Sequence, residues 1–346
     1  MPDQTANFTA TPLPDAPSLE RDERVSLEDV RRPVETDLAE FRRHFRDSLN
    51  TPVGLLDKIT RYILRQKGKE VRPLLVLLSA KACGKVGDTT YRAAALVELL
   101  HTATLVHDDV VDDADTRRGV FSIRALWQDK VAVLFGDFLL SRGLLLSLQH
   151  GDYDMLHTLS DAVRRMSEGE LLQIQKTRLL NIDEETYFQI ISDKTASLIS
   201  ACARCGALSA TDNDTLVERM REAGEALGLA FQIRDDLFDY GLSDAGKPIG
   251  IDLQEKKLTL PLIAALREAG WWKRQRMRAL VLRGNKSRED LERVRDFVTE
   301  HDGLHYARRK MREHARRAAD LFAELPPTPA RAALLDLAAF TVQREK

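Results

Sequence analysis

Two stretches of the chain carry the same acidic pattern, Asp108-Asp109-Val110-Val111-Asp112 and Asp235-Asp236-Leu237-Phe238-Asp239, each of the form DDxxD. On a helix, residues four apart share a face with Cβ atoms about 5–6 Å apart. Asp108 with Asp112, and Asp235 with Asp239, therefore set carboxylates side by side. Like charges at that spacing weaken a helix. Each pair follows an apolar helical run (Leu99, Ala103 and Val106; Ala226, Leu229, Ala230 and Ile233), so a compensating cation is required. An all-oxygen donor set suits Mg²⁺, a hard ion that takes one or two carboxylates, keeps waters and completes its shell with phosphate oxygens. A calcium loop is excluded, because neither segment has the D-x-D-x-D-G-x₅-E spacing. One acidic run on a helix is ordinarily a solvated face. Two that end apolar runs could point into one cavity between helices. Cations accompany them: Arg117 and Arg118 follow the first cluster, Lys194 precedes Thr195, and Lys247 and Lys257 follow the second. Arg supplies a planar fork and Lys a point charge to the outer oxygens of a metal-held polyanion.

The elements that must position these groups read as helices. Leu55, Ile59, Tyr62 and Ile63 recur at three- and four-residue steps, as do Leu96, Leu99, Leu100, Ala103 and Val106. The run from Phe121 to Leu148 is apolar on most faces, which predicts a helix wrapped by others in the middle of a bundle. No period-two alternation is long enough for a sheet, and 6% aromatic content with thinly spread Gly and Pro argues against turn-rich β architectures. Breakers at Gly84, Gly87, Gly119, Gly151, 181–183, 241–250, Gly270, Gly284 and 326–329 mark helix ends, and none separates two halves. The expectation is an all-α chain with a disordered leader over 1–25 and a single domain over 26–346.

Composition narrows the function classes. A net charge of −2 leaves no electrostatic footprint for nucleic acid, so the Arg-rich stretches Lys273–Arg278 and Arg308–Arg317 read as solvated helix faces. Three cysteines point to a reducing, cytoplasmic compartment, and Cys202-x-x-Cys205, lacking a second pair, reads as helix packing. The apolar stretches Pro73–Leu78 and Val131–Phe135 fall short of the roughly 20 residues a membrane span needs, which leaves at most peripheral membrane contact.

At this level of detail the chain resembles the trans-isoprenyl diphosphate synthases, the polyprenyl synthetase family, and in particular their bacterial long-chain, octaprenyl-type members. Gly68-Lys69-Glu70-Val71-Arg72-Pro73 is similar to the family's GKxxRP, and 100–109 to its first aspartate-rich helix, continuing through 115–119. Gly136-Asp137, Lys194-Thr195-Ala196, the 231–236 stretch, and Gly246-Lys247 with 252–257 follow in family order. Two departures stand out: Glu70 where many members are basic, and Ser122-Ile123-Arg124 in place of the usual Pro and Asn region.

The resemblance implies a bundle of mostly antiparallel helices around a deep central cavity, usually a homodimer. It also implies 1′-4 condensation of isopentenyl diphosphate onto an allylic diphosphate, here farnesyl or geranylgeranyl diphosphate, with three Mg²⁺ per site. By position, Asp108, Asp112 and Asp235 resemble the metal ligands, with Asp109, Asp239, Asp236 and Asp252 in support. Arg117, Lys194, Lys247 and Lys257 resemble the allylic-diphosphate cations, and Thr195 and Gln232 the dipoles beside the carbocation. Lys69, Arg72, His101 and Arg118 map to the isopentenyl diphosphate pocket. Four and five residues before Asp108, small Thr104 and Ala103 stand where shorter-chain members carry aromatics, which implies a product beyond C15, about C35–C40, of the quinone side-chain type. Geranylgeranyl diphosphate synthase is the shorter-product alternative. A terpene cyclase fits less well, because its second metal motif is an Asn/Asp, Ser/Thr, Glu triad. A regulatory subunit of a two-part synthase usually lacks the clusters that are intact here.

Overall fold

The computed structural model describes residues 25–66, 68–117, 119–179, 182–241, 251–254, 257–283 and 286–343. Short α1 (Leu27–Arg31) and a 3₁₀ turn lead into α2 (Glu35–Ser48), α3 (Gly54–Arg65), α4 (Val71–Cys83) and α5 (Asp88–Val111). A two-residue hairpin, β1 (Thr116–Arg117) with β2 (Val120–Phe121), pairs Thr116 with Phe121 and Arg117 with Val120. Then follow α6 (Ile123–Trp127), α7 (Asp129–His150), α8 (Tyr153–Leu179) and α9 (Glu184–Ile191). A π-helical turn (Ser192–Ala196) joins α9 to α10 (Ser197–Leu208) and α11 (Asp214–Phe238). The remainder is α12 (Ile251–Gln254), α13 (Leu260–Glu268), α14 (Trp271–Leu282), α15 (Arg288–Glu300), α16 (Gly303–Ala323) and α17 (Pro329–Gln343). The fold is all-α.

The centre is built from α4 and α10, buried on nearly every side: Leu74–Ala80 and Leu198–Ala203 are almost wholly enclosed. A Cβ on Gly206 would come within 2.3 Å of the Val76 carbonyl, so glycine lets α10 lie directly on α4. On the other side of α10 lies α11, itself packed along α16, while α5 packs along α7.

The expectation for Phe121–Leu148 is corrected by this arrangement. That run is three elements, broken at Gln128 with its positive φ of 73°. α7 is peripheral, with Val133, Leu134, Leu144, Leu145 and Leu148 exposed. Overall apolarity cannot separate a helix wrapped by its own chain from one whose second apolar face is left outside. α7 is also long and apolar enough to cross a bilayer by length and composition, with a mean hydropathy of 1.8, although no single unbroken apolar run in the sequence reaches that length.

Candidate active site

Both aspartate clusters close the C-terminal ends of long helices. Asp108 and Asp109 lie in the last turn of α5, and Asp112 caps it, donating its N–H to the Asp108 carbonyl at 2.8 Å. Asp235 and Asp236 end α11, and Asp239 is its C-cap. A helix C-terminus carries partial negative charge. Carboxylates there are repelled by the helix as well as by each other, which strengthens the demand for a cation.

After α5 the chain reverses through Asp113, whose φ is +52°, and the β1–β2 hairpin brings Arg117 back to the helix end. Arg117 Nε meets buried Asp109 Oδ1 at 2.6 Å. The divergent Ser122-Ile123-Arg124 segment builds this loop with its own chemistry. Ser122 Oγ donates to the Ala114 carbonyl at 2.7 Å and accepts from the Ala125 N–H, capping α6. Arg124 gathers Asp113, Asp115 and Asp129 at 2.8, 3.1 and 2.8 Å. Glu70, the other departure, pairs with Arg42 at 2.6 Å and ties α4 to α2.

The first cluster reaches α8 and the π-helical turn. Lys194 forms an ion pair with Glu170 and donates to Gln173 Oε1 at 3.1 Å. Asp108 has its proton affinity raised, first by partial burial and then by Asp112 and Glu170, with Lys194 and Arg117 pulling the other way. These five side chains thus share one electrostatic neighbourhood. The next residue of the turn, Thr195, reaches α11: its Oγ donates to Gln232 Oε1 at 2.8 Å, and Gln232 Nε2 donates to Asp236 Oδ1 at 2.8 Å. Buried Asp236 also accepts from Tyr187 Oη at 2.7 Å. One hydrogen-bonded path therefore joins the Lys194 turn to the second cluster.

The π-helical turn makes both contacts possible. Its extra residue lets Lys194 face α8 while Thr195 faces α11, a distortion that recurs at functional sites. Arg165 holds it, meeting Asp193 Oδ1 at 2.8 Å and Ser192 Oγ at 2.9 Å, and Glu225 accepts from Ser192 Oγ at 2.8 Å and pairs with Arg221 at 2.9 Å. A Cβ on Gly169 would lie 3.0 Å from the Lys194 nitrogen, and one on Gly228 2.6 Å from Ala196 Cα, so both flanking helices approach the turn through glycine.

The remaining sequence-derived candidates are placed as follows. Asp112 and Asp235 are exposed, and Asp239 and Lys257 half-buried. His101 is buried on α5 two turns before Asp108, Arg72 is half-buried in the first turn of α4, and exposed Lys69 offers its carbonyl to Arg31. Ala103 is fully enclosed, and half-buried Thr104 donates to the His101 carbonyl at 2.9 Å. Arg118, Lys247 and the side chain of Asp252 lie outside the described residues, as does nearly all of the 1–25 leader. His107, just before the first cluster, sits over Gly136, where a Cβ would fall 2.2 Å from its Nε2. Burial pushes the Cys202 thiol up to about 12, in keeping with a packing role.

Sequence reasoning missed Glu170 and Gln173, and with them Tyr187, Arg165 and Glu225. The available signal was Gly169-Glu170-x-x-Gln173, two polar groups three apart on a helix ahead of Lys194. Two distinct cavities, about 310 Å³ between α11 and α16 and about 260 Å³ between α3 and α6, lie away from the aspartates. Among the described residues, no three His, Cys, Asp or Glu side chains form a metal cage. The aspartate side chains offer oxygen donors alone, which fits a hard cation whose shell is completed by phosphate oxygens.

The sequence model of the polyprenyl synthetase family matches residues 53–298. The octaprenyl diphosphate synthase of Escherichia coli (strain K12) is 36% identical, with 93% of this chain and 100% of that protein covered. Among solved structures, a polyprenyl synthase from Caulobacter crescentus CB15 complexed with calcium and isoprenyl diphosphate superposes with a TM-score of 0.85 at 33% identity, covering 94% of this chain and 100% of the other. A decaprenyl diphosphate synthase from Rhodobacter capsulatus gives 0.87 at 33%, covering 93% and 100%.

Proposed function

The chain belongs to the polyprenyl synthetase family, and on that premise we propose the residue roles, metal use and product class of its reaction. It is a trans-polyprenyl diphosphate synthase, a prenyltransferase that joins isopentenyl diphosphate to an allylic diphosphate. The observation that carries the residue roles is the convergence of Asp108, Asp112, Glu170, Lys194 and Arg117.

The C–O bond of the allylic diphosphate breaks, pyrophosphate leaves and an allylic cation remains. The double bond of isopentenyl diphosphate attacks that cation, a C–C bond forms, and loss of a proton restores an allylic diphosphate one unit longer. The barrier is charge separation. Bound Mg²⁺, three ions in this reading, supplies Lewis-acid stabilisation of the developing pyrophosphate. Asp108, Asp112, Asp235 and Asp239 would hold it. Asp109 acts mainly by orienting Arg117, since its buried carboxylate already accepts that guanidinium. Arg117, Lys194, Lys247 and Lys257 neutralise the outer phosphate oxygens, a preorganised field that water would otherwise have to reorganise to supply. The Gln232 amide oxygen and the Thr195 hydroxyl, fixed by their mutual bond, place dipoles beside the cation. Lys69, Arg72, His101 and Arg118 bind isopentenyl diphosphate.

Small Ala103 and Thr104 before Asp108 support a product beyond C15, and the octaprenyl and decaprenyl names of relatives support about C35–C40, as on quinone side chains. The exposed leucines of α7 support a homodimer, because a second copy would cover a face too apolar for water. A single apolar core running from Val30 to Ala339 supports one domain over 26–346, and three free cysteines support a cytoplasmic location.

The test is purified protein with Mg²⁺, farnesyl or geranylgeranyl diphosphate and labelled isopentenyl diphosphate, with products sized by chromatography. A ladder ending near C35–C40 is expected. Termination at C20 would replace the length assignment by geranylgeranyl diphosphate synthase, and no elongation by folded protein would leave the regulatory-subunit reading.

A further inference from the structure

Away from the aspartates, α14 carries a surface that the condensation does not use. It buries Met277, Leu280 and Val281 against α13 and α15. At about 100° per residue, its opposite face consists of Trp271, Trp272, Gln275, Ala279 and Leu282. Trp271 is 58% exposed, Trp272 80% and Leu282 49%. The two indoles pack edge to face on each other, with centroids 4.4 Å apart. Isolated exposed apolar residues are ordinary, but adjacent tryptophans continued by a leucine along the same stripe form a patch.

The charge carried by α14 itself has one sign. α14 contains Lys273, Arg274, Arg276 and Arg278 and no acidic residue. Lys273 is engaged by Glu300 at 2.6 Å, and Arg274 donates to the Arg267 and Ala269 carbonyls. Arg276 is exposed, with no ion pair among the described residues, and Arg283, just past the helix, is 3.9 Å from Asp290. The outward apolar stripe is therefore bordered by guanidinium groups.

We infer that α14 docks the protein reversibly on a bilayer surface containing anionic lipid. Trp271 and Trp272 lie at headgroup depth, where amphipathic rings are favoured. Leu282 enters the acyl boundary, and Arg276 and Arg283 face lipid phosphates. Twelve residues are too few to span a bilayer, which makes the contact interfacial. A nucleic acid would take the cations but leave the Trp and Leu stripe in water. The inference does not depend on the condensation chemistry. If that chemistry holds, docking also places a product with a long apolar tail where the tail dissolves.

The test is co-sedimentation of the full chain with vesicles of neutral phosphatidylcholine and of phosphatidylcholine mixed with anionic phosphatidylglycerol, at low and high salt, without substrate or metal. The chain has three tryptophans, so Trp127→Phe leaves fluorescence from the patch alone. Expected are binding to anionic vesicles, weakened by salt, and a blue shift of that fluorescence. Trp271→Ala with Trp272→Ala should lower partitioning at least about tenfold, and Arg276→Glu about fivefold or more. Leu282→Glu should weaken it independently, and condensation in detergent solution should stay at the parental rate for all of these. The inference is overturned if wild-type protein does not partition onto anionic vesicles, or if the tryptophan variants bind as the parent does. It is also overturned if those variants split an oligomer in light scattering, which would make a second copy the occupant, or if RNA competes the vesicles away. Binding requires no turnover, so its failure is distinguishable from failure of the condensation assay.

Discussion

Replacing Asp108 by Asn should stabilise the metal-free protein while ending turnover. Asp108 and Asp112 lie four residues apart at a helix end. Two unit charges about 5.5 Å apart repel by ~0.8 kcal/mol in water and ~3 kcal/mol at an effective dielectric constant of 20. Asp108 keeps solvent contact, so screening favours the lower figure. The helix C-terminus adds about 0.3–1 kcal/mol of repulsion, while Lys194 and Arg117 return part of it. A net gain of about 0.5–1 kcal/mol follows for the neutral isostere. Unfolding entropy near 2.1 cal/mol/K per residue over the 346 residues is ~0.7 kcal/mol/K. The gain therefore amounts to about +1 °C in Tm, measured by calorimetry in EDTA near pH 7.5. The sign follows from the raised folded-state proton affinity: the ionised carboxylate opposes folding above the ordinary Asp value of 3.8, and the penalty vanishes as pH falls below it. Variant and parent should then converge in acid. With Mg²⁺ and a diphosphate at about 100 times its Kd, the parent should gain ~2.7 kcal/mol, or about 4 °C, and the variant much less. Turnover should fall at least about 10³-fold. A lower Tm in EDTA, a retained Mg²⁺-dependent shift, or turnover within tenfold of the parent would refute the reasoning.

Four further outcomes are expected. Ala103→Phe should shorten the product, read by chromatography, and lower stability by about 1–3 kcal/mol because the site is fully enclosed; an unchanged chain length would remove residue 103 from length control. Arg165→Lys should cut kcat about 10- to 100-fold with little change in KM for isopentenyl diphosphate, because the turn carrying Lys194 loses its fork. Burial raises the proton affinity of Glu225, but Ser192, Arg165 and Arg221 outweigh it, so its net shift is downward. Its contribution to stability should be present above its ordinary value and fade as pH falls through the folded one, and acid titrations of Glu225→Gln should lack that component. Gly136→Ala should cost about 1–3 kcal/mol and displace His107 beside the first cluster, seen as lower Tm together with lower kcat.

What could be read from the chain was local. The i, i+4 spacing of Asp108 with Asp112 and of Asp235 with Asp239 states a charge conflict whatever the rest of the protein does, and the hard-cation chemistry follows from that conflict. The helical periods, the breakers at Gly84, Gly151 and Gly270, and the small residues at 103 and 104 were legible for the same reason: each depends on neighbours within a turn or two. The position of α7 was not, because its period is compatible with a central helix or with a peripheral one whose outer face is left for another surface. Nor was the role of Asp109 or Asp236 distinguishable from that of Asp108 and Asp235, since adjacent carboxylates on a helix point to different neighbours. Only packing assigns one to Arg117 and the other to Tyr187 and Gln232.

Sequence by itself therefore determined the two acidic helix ends, the charge conflict within each and the all-helical class. Tertiary structure decided which groups each of them meets. A π-helical turn, held by Arg165 and Glu225 and approached through Gly169 and Gly228, turns Lys194 toward Glu170 and Thr195 toward Gln232. No spacing rule encodes that turn, because one extra residue in a helical ladder is stabilised by side chains from α8 and α11, far away in the chain.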